Sequence, residues 1–150
     1  ESFDFMYNRC KELGYECTAS VFDETSLKFL LTYDIPFVKI SNNRAMDYLI
    51  ELVPRGIPVY ISYDSMEVDN AYNALLNGTD KKMNCVSQYP ANIDDYHCDS
   101  GENISDHVEG LGLFNLYNPS IWEKHLMLDG DTGLDSGVFT STPEELSEIL

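Results

Sequence analysis

Short apolar runs of strand type recur along this chain, and most are followed by a stretch of helical spacing. The runs lie at 15–20, 36–40, 57–62, 83–87, around Ile104 and at 120–124. The intervals between them are too long for hairpins and suit the right-handed crossovers of parallel sheets. Residues 3–13 place Phe3, Met6, Cys10 and Leu13 on one helical side. Asp23 caps a predicted helix over 24–32, and 45–53 reads as another. Ser65 caps a third over 66–76, which Gly78 closes. A fourth spans 108–117. Thr142, Pro143 and Glu145 supply the cap, the first helical residue and the capping box of the last. About six strands alternating with helices or loops predict a parallel α/β sheet, laid out as a doubly wound open sheet or as part of a (β/α)8 barrel. The glycine-rich nucleotide motifs of open sheets are missing.

The chain has 150 residues, enough for one domain over 1–150. Its net charge of −17 argues against nucleic-acid binding, which needs a basic footprint, and requires a local cluster of positive groups around any anionic substrate. No apolar run approaches a membrane span and no signal peptide opens the chain. An opening at Glu1 reads as a processed form or a fragment. The four cysteines, Cys10, Cys17, Cys85 and Cys98, show no CxxC spacing and fit a reduced, cytoplasmic setting. The glycosylation-type triplets at Asn77 and Asn103 read as chance matches in that setting.

Functional side chains in parallel α/β folds project from the carboxyl ends of the strands. Those ends here carry Ser20, Lys39, Ser41, Asn42, Ser62, Ser87, Tyr89, Ser105, Asp106, His107, Glu123, Lys124 and His125. On a closed barrel they would converge on one face. The chain has only three histidines, and His107 and His125 stand at two similar points. Two neutral imidazoles with water make a site for Mn²⁺, Zn²⁺ or Fe²⁺. Lys39 ends an otherwise apolar strand and could hold a carboxylate or phosphate as a point charge. A polarised carbonyl beside a bound phosphorylated acid points to carbon–carbon bond formation. Each residue also has a plainer reading. A histidine after a strand is more often a hydrogen-bonded structural residue, Lys39 could snorkel, and Asp106 or Glu123 could pair with Lys124 or cap a helix. His97 reads as a loop residue.

Taken in order, these motifs resemble the sialic acid synthase family, the N-acetylneuraminate and related nonulosonate synthases. The motifs are SVFD at 20–23, VKISN at 38–42, VYIS at 59–62 with Met66, CVSQYP at 85–90, SDH at 105–107, EKH at 123–125 and GLD at 133–135. The resemblance implies a TIM-type (β/α) barrel that condenses phosphoenolpyruvate with an N-acyl amino-sugar aldehyde such as N-acetylmannosamine. Water adds, and phosphate leaves. It implies a divalent metal, Mn²⁺ or Mg²⁺, on His107 and His125, which with Lys39 are the catalytic candidates. Lys39, Asn42, Ser62, Ser87 and Ser105, with Ser20, would hold phosphoenolpyruvate. Tyr89 and Asp135 would contact the sugar.

Departures from the family pattern set the alternatives. The chain lacks the family's first two barrel strands and its C-terminal antifreeze-like domain, so a partial barrel of about six strands is expected, its open edges covered by copies of itself or by a complementing chain. Arg44 stands where the family has glutamate, and Asn84 where it has histidine; SYDSM at 62–66 replaces Ser-Thr-Gly-Met. A non-catalytic binding or structural module built from synthase parts is therefore the second reading. A response-regulator type of α/β domain is a third, opposed by the lack of an acidic pair after a first strand.

Overall fold

In a computed structural model of the chain, residues 2–64 and 78–149 are described. Six strands follow one another in the sheet in sequence order, β1 (Ser20–Val21), β2 (Val38–Ile40), β3 (Val59–Asp64), β4 (Lys81–Cys85), β5 (Ile104–Asp106) and β6 (Trp122–Lys124). β1–β2, β2–β3, β4–β5 and β5–β6 pair in parallel, the order that successive β/α units of a barrel produce. The contacts fall into two compact units, residues 2–61 with 78–81 and residues 62–64 with 82–149, and the divisions lie inside β3 and after the first residue of β4.

The first unit holds α1 (Ser2–Glu12), α2 (Glu24–Leu30) and the single-turn α3 (Leu49–Leu52). The apolar side expected for α1 is corrected. Tyr7 is its buried residue, while Met6 and Leu13 are 53% and 54% exposed. Aromatic packing decides this. Phe3 and Tyr7, one helical turn apart, stack at 6.3 Å, and both meet Tyr33 at 4.9 Å. Asp23 caps α2 as expected, its carboxylate accepting from the Ser26 N–H at 2.6 Å. The strand expected over 15–20 is corrected to Ser20–Val21; upstream of it the Thr18 hydroxyl donates to the Phe37 carbonyl at 2.6 Å, a side-chain bond to the neighbouring segment in place of a ladder bond. The helix expected over 45–53 breaks into a 3₁₀ turn at Arg44–Met46, capped by Asn43, and α3. Pro54 stops it by forcing Val53 into an extended conformation. Val21, Leu27, Leu30, Val38, Ile40, Leu49, Val59 and Ile61 form the buried side of this unit. The helix expected over 66–76, with its cap Ser65, lies outside the described residues.

In the second unit, Ala91, Tyr96, Ile104, Val108 and Leu113 form the buried cluster, with Trp122, Tyr117 and Cys98 packed against it. β4 ends at Cys85 rather than Ser87, because the Val86 carbonyl is taken by the His107 ring. α4 (Gly112–Tyr117) starts four residues later than its pattern. Both backbone groups of Val108 are held by side chains, its N–H by Asp106 and its C=O by Lys124. α5 (Pro143–Leu146) has the expected capping box: the Glu145 N–H donates to Thr142 Oγ1 at 3.3 Å and the Thr142 N–H to Glu145 Oε2 at 3.0 Å.

Candidate metal and substrate site

β5 and β6 run in register, with Ser105 opposite Glu123 and Asp106 opposite Lys124. The next residues out are His107 and His125. Their rings lie 5.3 Å apart between centroids. With a metal–nitrogen bond of about 2.1 Å and an N–metal–N angle of about 90–110°, two imidazoles on one ion would have centroids about 4.6–5.3 Å apart. The observed separation sits at the upper end of that range.

His107 is buried, and its Nδ1 lies 2.6 Å from the Val86 carbonyl oxygen. A carbonyl can only accept, so Nδ1 carries the proton and Nε2 keeps its lone pair, as a metal-binding imidazole requires. Burial lowers the His107 pKa and the neighbouring His125 adds to the effect, against the Val86 bond. Its backbone N–H donates to the Tyr96 hydroxyl at 3.1 Å, which donates in turn to the Ser105 carbonyl at 2.8 Å. His125 is half-buried, and its Nδ1 stands 3.8 Å from an Asp135 carboxylate oxygen. These atoms fit a divalent cation held by two imidazoles, with its other positions left to water or substrate. Among the described residues no group of three or more His, Cys, Asp or Glu side chains is placed to hold a metal ion.

Tyr89 covers the pair. Its ring lies 4.1 Å from His107 and 5.6 Å from His125. Phe139, which the sequence reading missed, packs on Tyr89 and His125, 5.2 Å from each. Gly137 makes room for it, since a Cβ there would meet the Phe139 ring at 2.8 Å. Neither residue belongs to a recognisable motif. Tyr96 was missed too, for it sits in a loop sequence of no apolar period.

The second unit thus brings together Tyr89, His107, His125 and Asp135. Ser62 and Ser105 are buried there, and Ser87 is exposed. In the first unit Ser20 and Lys39 are register partners. Lys39 is 7% exposed, its ammonium donating to the Ile40 carbonyl at 3.3 Å, and Asn42 follows β2 half-buried. His97 is an exposed loop residue, as expected, and its carbonyl accepts from the buried Asn84 amide at 3.2 Å.

One alternative left open by the sequence is resolved. Asp106 pairs with Lys124 at 3.3 Å, their side chains 0% and 4% exposed. The Asp106 carboxylate also accepts from the Val108 N–H at 2.7 Å and Trp122 Nε1 at 3.0 Å.

Six strands in sequence order, with two imidazoles at the ends of adjacent ones, define a partial TIM-type (β/α) barrel with a candidate metal pair. The chain belongs to the NeuB family, which matches residues 1–109. It is 33% identical over 94 residues to the N-acetylneuraminate-9-phosphate synthase of Drosophila melanogaster, a match covering 57% of this chain and 25% of that protein. Two solved structures share the fold. The N-acetylneuraminic acid (sialic acid) synthetase of Leptospira borgpetersenii serovar Hardjo-bovis, in complex with citrate, superposes with a TM-score of 0.79 at 22% identity, over 97% of this chain and 58% of that one. The spore coat polysaccharide biosynthesis protein spsE of Bacillus subtilis does so with 0.72 at 20% identity, over 96% and 47%. The chain therefore spans about a quarter of the curated relative and about half of the solved ones. His125 lies beyond the residues that match the family. No helix among the described residues is long and apolar enough to cross a membrane.

Proposed function

We propose that this chain carries the metal-binding half of a sialic acid synthase site, in which phosphoenolpyruvate condenses with an N-acyl amino-sugar aldehyde of the N-acetylmannosamine kind. The observation that carries the reading is the imidazole pair, 5.3 Å apart, with the His107 tautomer set by Val86. His107 and His125 supply two nitrogen lone pairs to Mn²⁺ or Mg²⁺. When bound, such an ion polarises a carbonyl as a Lewis acid. Tyr89 and Phe139 shield the imidazoles from bulk water, which strengthens electrostatic interactions there. Tyr89 and Asp135 are assigned to the sugar. Ser62, Ser87 and Ser105 of the second unit are assigned to phosphoenolpyruvate; within the first unit, Ser20, Lys39 and Asn42 offer hydroxyl, ammonium and amide groups suited to an anion, and Lys39 supplies positive charge in a chain of net charge −17. The protein works as a soluble cytoplasmic enzyme, assembled with copies of itself or with a complementing chain.

The decisive experiment is calorimetric titration of the chain with Mn²⁺, alone and with phosphoenolpyruvate, beside a His107→Ala/His125→Ala variant. Binding that the variant loses while its melting temperature stays within a few degrees supports the reading. No Mn²⁺ binding by the unaltered chain ends it. A second reading, a non-catalytic module derived from a synthase, is favoured by Asn84. It stands where a histidine is usual, and its Nδ2 donates to the His97 carbonyl, so the position holds a structural amide in place of an imidazole. A melting temperature that collapses in the double-histidine variant would favour that reading.

A further inference from the structure

The buried Asp106–Lys124 pair sits one residue before each histidine. The two residues are register partners on neighbouring strands, so their contact ties β5 to β6 at the last rung before the imidazoles. The pair also grips the backbone just past His107, through the Val108 N–H on Asp106 and the Val108 carbonyl on Lys124. Trp122 Nε1 on the other Asp106 oxygen stops the carboxylate from rotating. Backbone on both sides of His107 is thus referenced to β6, the strand that carries His125.

Stability alone does not explain such a pair. Taking two charges out of water is costly, and an apolar pair of similar volume often serves the fold equally well or better. Burial does lower the Lys124 pKa, against the attraction of Asp106. What an apolar pair cannot do is fix distance and direction through several charge-assisted hydrogen bonds at once.

We infer that Asp106 and Lys124 are positioning residues whose buried contact sets the separation and orientation of the His107 and His125 imidazoles. This rests on the reading of those imidazoles as metal ligands. Neither residue binds the ion or the substrate. Their effect passes through the strand ends.

The test uses the full chain with Asp106→Leu and Lys124→Met together, which removes both charges at once, along with the partners of the Val108 N–H, the Val108 carbonyl and Trp122 Nε1. Co²⁺ is the probe, since its visible spectrum reports ligand geometry. The double variant is expected to stay folded at a lower melting temperature, and to bind Co²⁺ at least tenfold more weakly with an altered spectrum, in line with the 10–100-fold typical of lost supporting contacts. Unchanged affinity and spectrum would overturn the inference while leaving the metal reading intact. Imidazole ¹⁵N shifts of the metal-free proteins separate the opposite case. If the unaltered chain binds no Co²⁺, but His107 holds a single tautomer that the variant loses, the metal reading falls and the positioning role stands. A single tautomer in both overturns the positioning role. If the double variant does not fold, Lys124→Arg takes its place. It keeps the charge but not the reach, and the same tenfold loss is expected; wild-type affinity would refute the inference.

Discussion

Tyr96 shows how much one hydroxyl can hold in place. It is 2% exposed, and its oxygen accepts from the His107 N–H while donating to the Ser105 carbonyl. Burial raises its pKa, so it stays a donor at any working pH. Tyr96→Phe keeps the ring but strands two buried backbone groups, and should cost about 1–3 kcal/mol in urea unfolding. Cys98 carries a pH effect of definite sign. Burial first, then the Glu102 and Asp99 charges, push its thiol from 9.0 up to about 12. A folded value above the unfolded one means the stabilising contribution is complete below about pH 9 and is lost as pH rises towards 12. Between pH 8 and 10.5, unfolding free energy should therefore fall more steeply for the unaltered chain than for Cys98→Ser, measured by urea titration; parallel slopes would contradict this.

Among the elements, α5 is four residues long and owes its place to its capping box. Thr142→Ala removes one reciprocal bond and should lower stability by about 1 kcal/mol, read as a shift in the denaturation midpoint at constant slope. The β5–β6 junction is more exacting. Asp106→Ala leaves a buried ammonium without its carboxylate and should cost about 3–5 kcal/mol, whereas the apolar double replacement should recover the part owed to the stranded charge. A single and a double variant of equal stability would show the pair to be inert. Gly137 is a third point of control at this scale. Its lack of a Cβ admits the Phe139 ring, so Gly137→Ala should cost about 1–3 kcal/mol through overpacking and should shift the ring-current shifts of His125.

At the scale of the whole chain, a charge of −17 makes self-repulsion a term in stability. Raising NaCl from about 0.02 to about 0.2 M shortens the screening length several-fold. The melting temperature should rise, and equal concentrations of sucrose should not reproduce the rise. A flat response would mean that the acidic groups are spaced widely enough in the fold to be solvated one by one.

Several features were legible in residue order because they depend on neighbours along the chain. The caps at Asp23 and Thr142, the places of β2 to β6 and the motifs around Lys39, His107 and His125 are of this kind, since capping, periodicity and turn chemistry act within a few residues. The ends of β4 and the start of α4 were not legible. β4 stops where the His107 ring takes the Val86 carbonyl, and α4 starts only beyond Val108, whose backbone Asp106 and Lys124 hold. Both events join residues at least 16 positions apart, or a side chain to a backbone whose helical pattern says otherwise. The choice between a pairing and a capping role for Asp106, and the places of Tyr96 and Phe139 beside the histidines, belong to the same class. The sequence named the two imidazoles; only packing across β5 and β6 determined the distance between them, because that distance depends on the strand register and the buried pair beneath it.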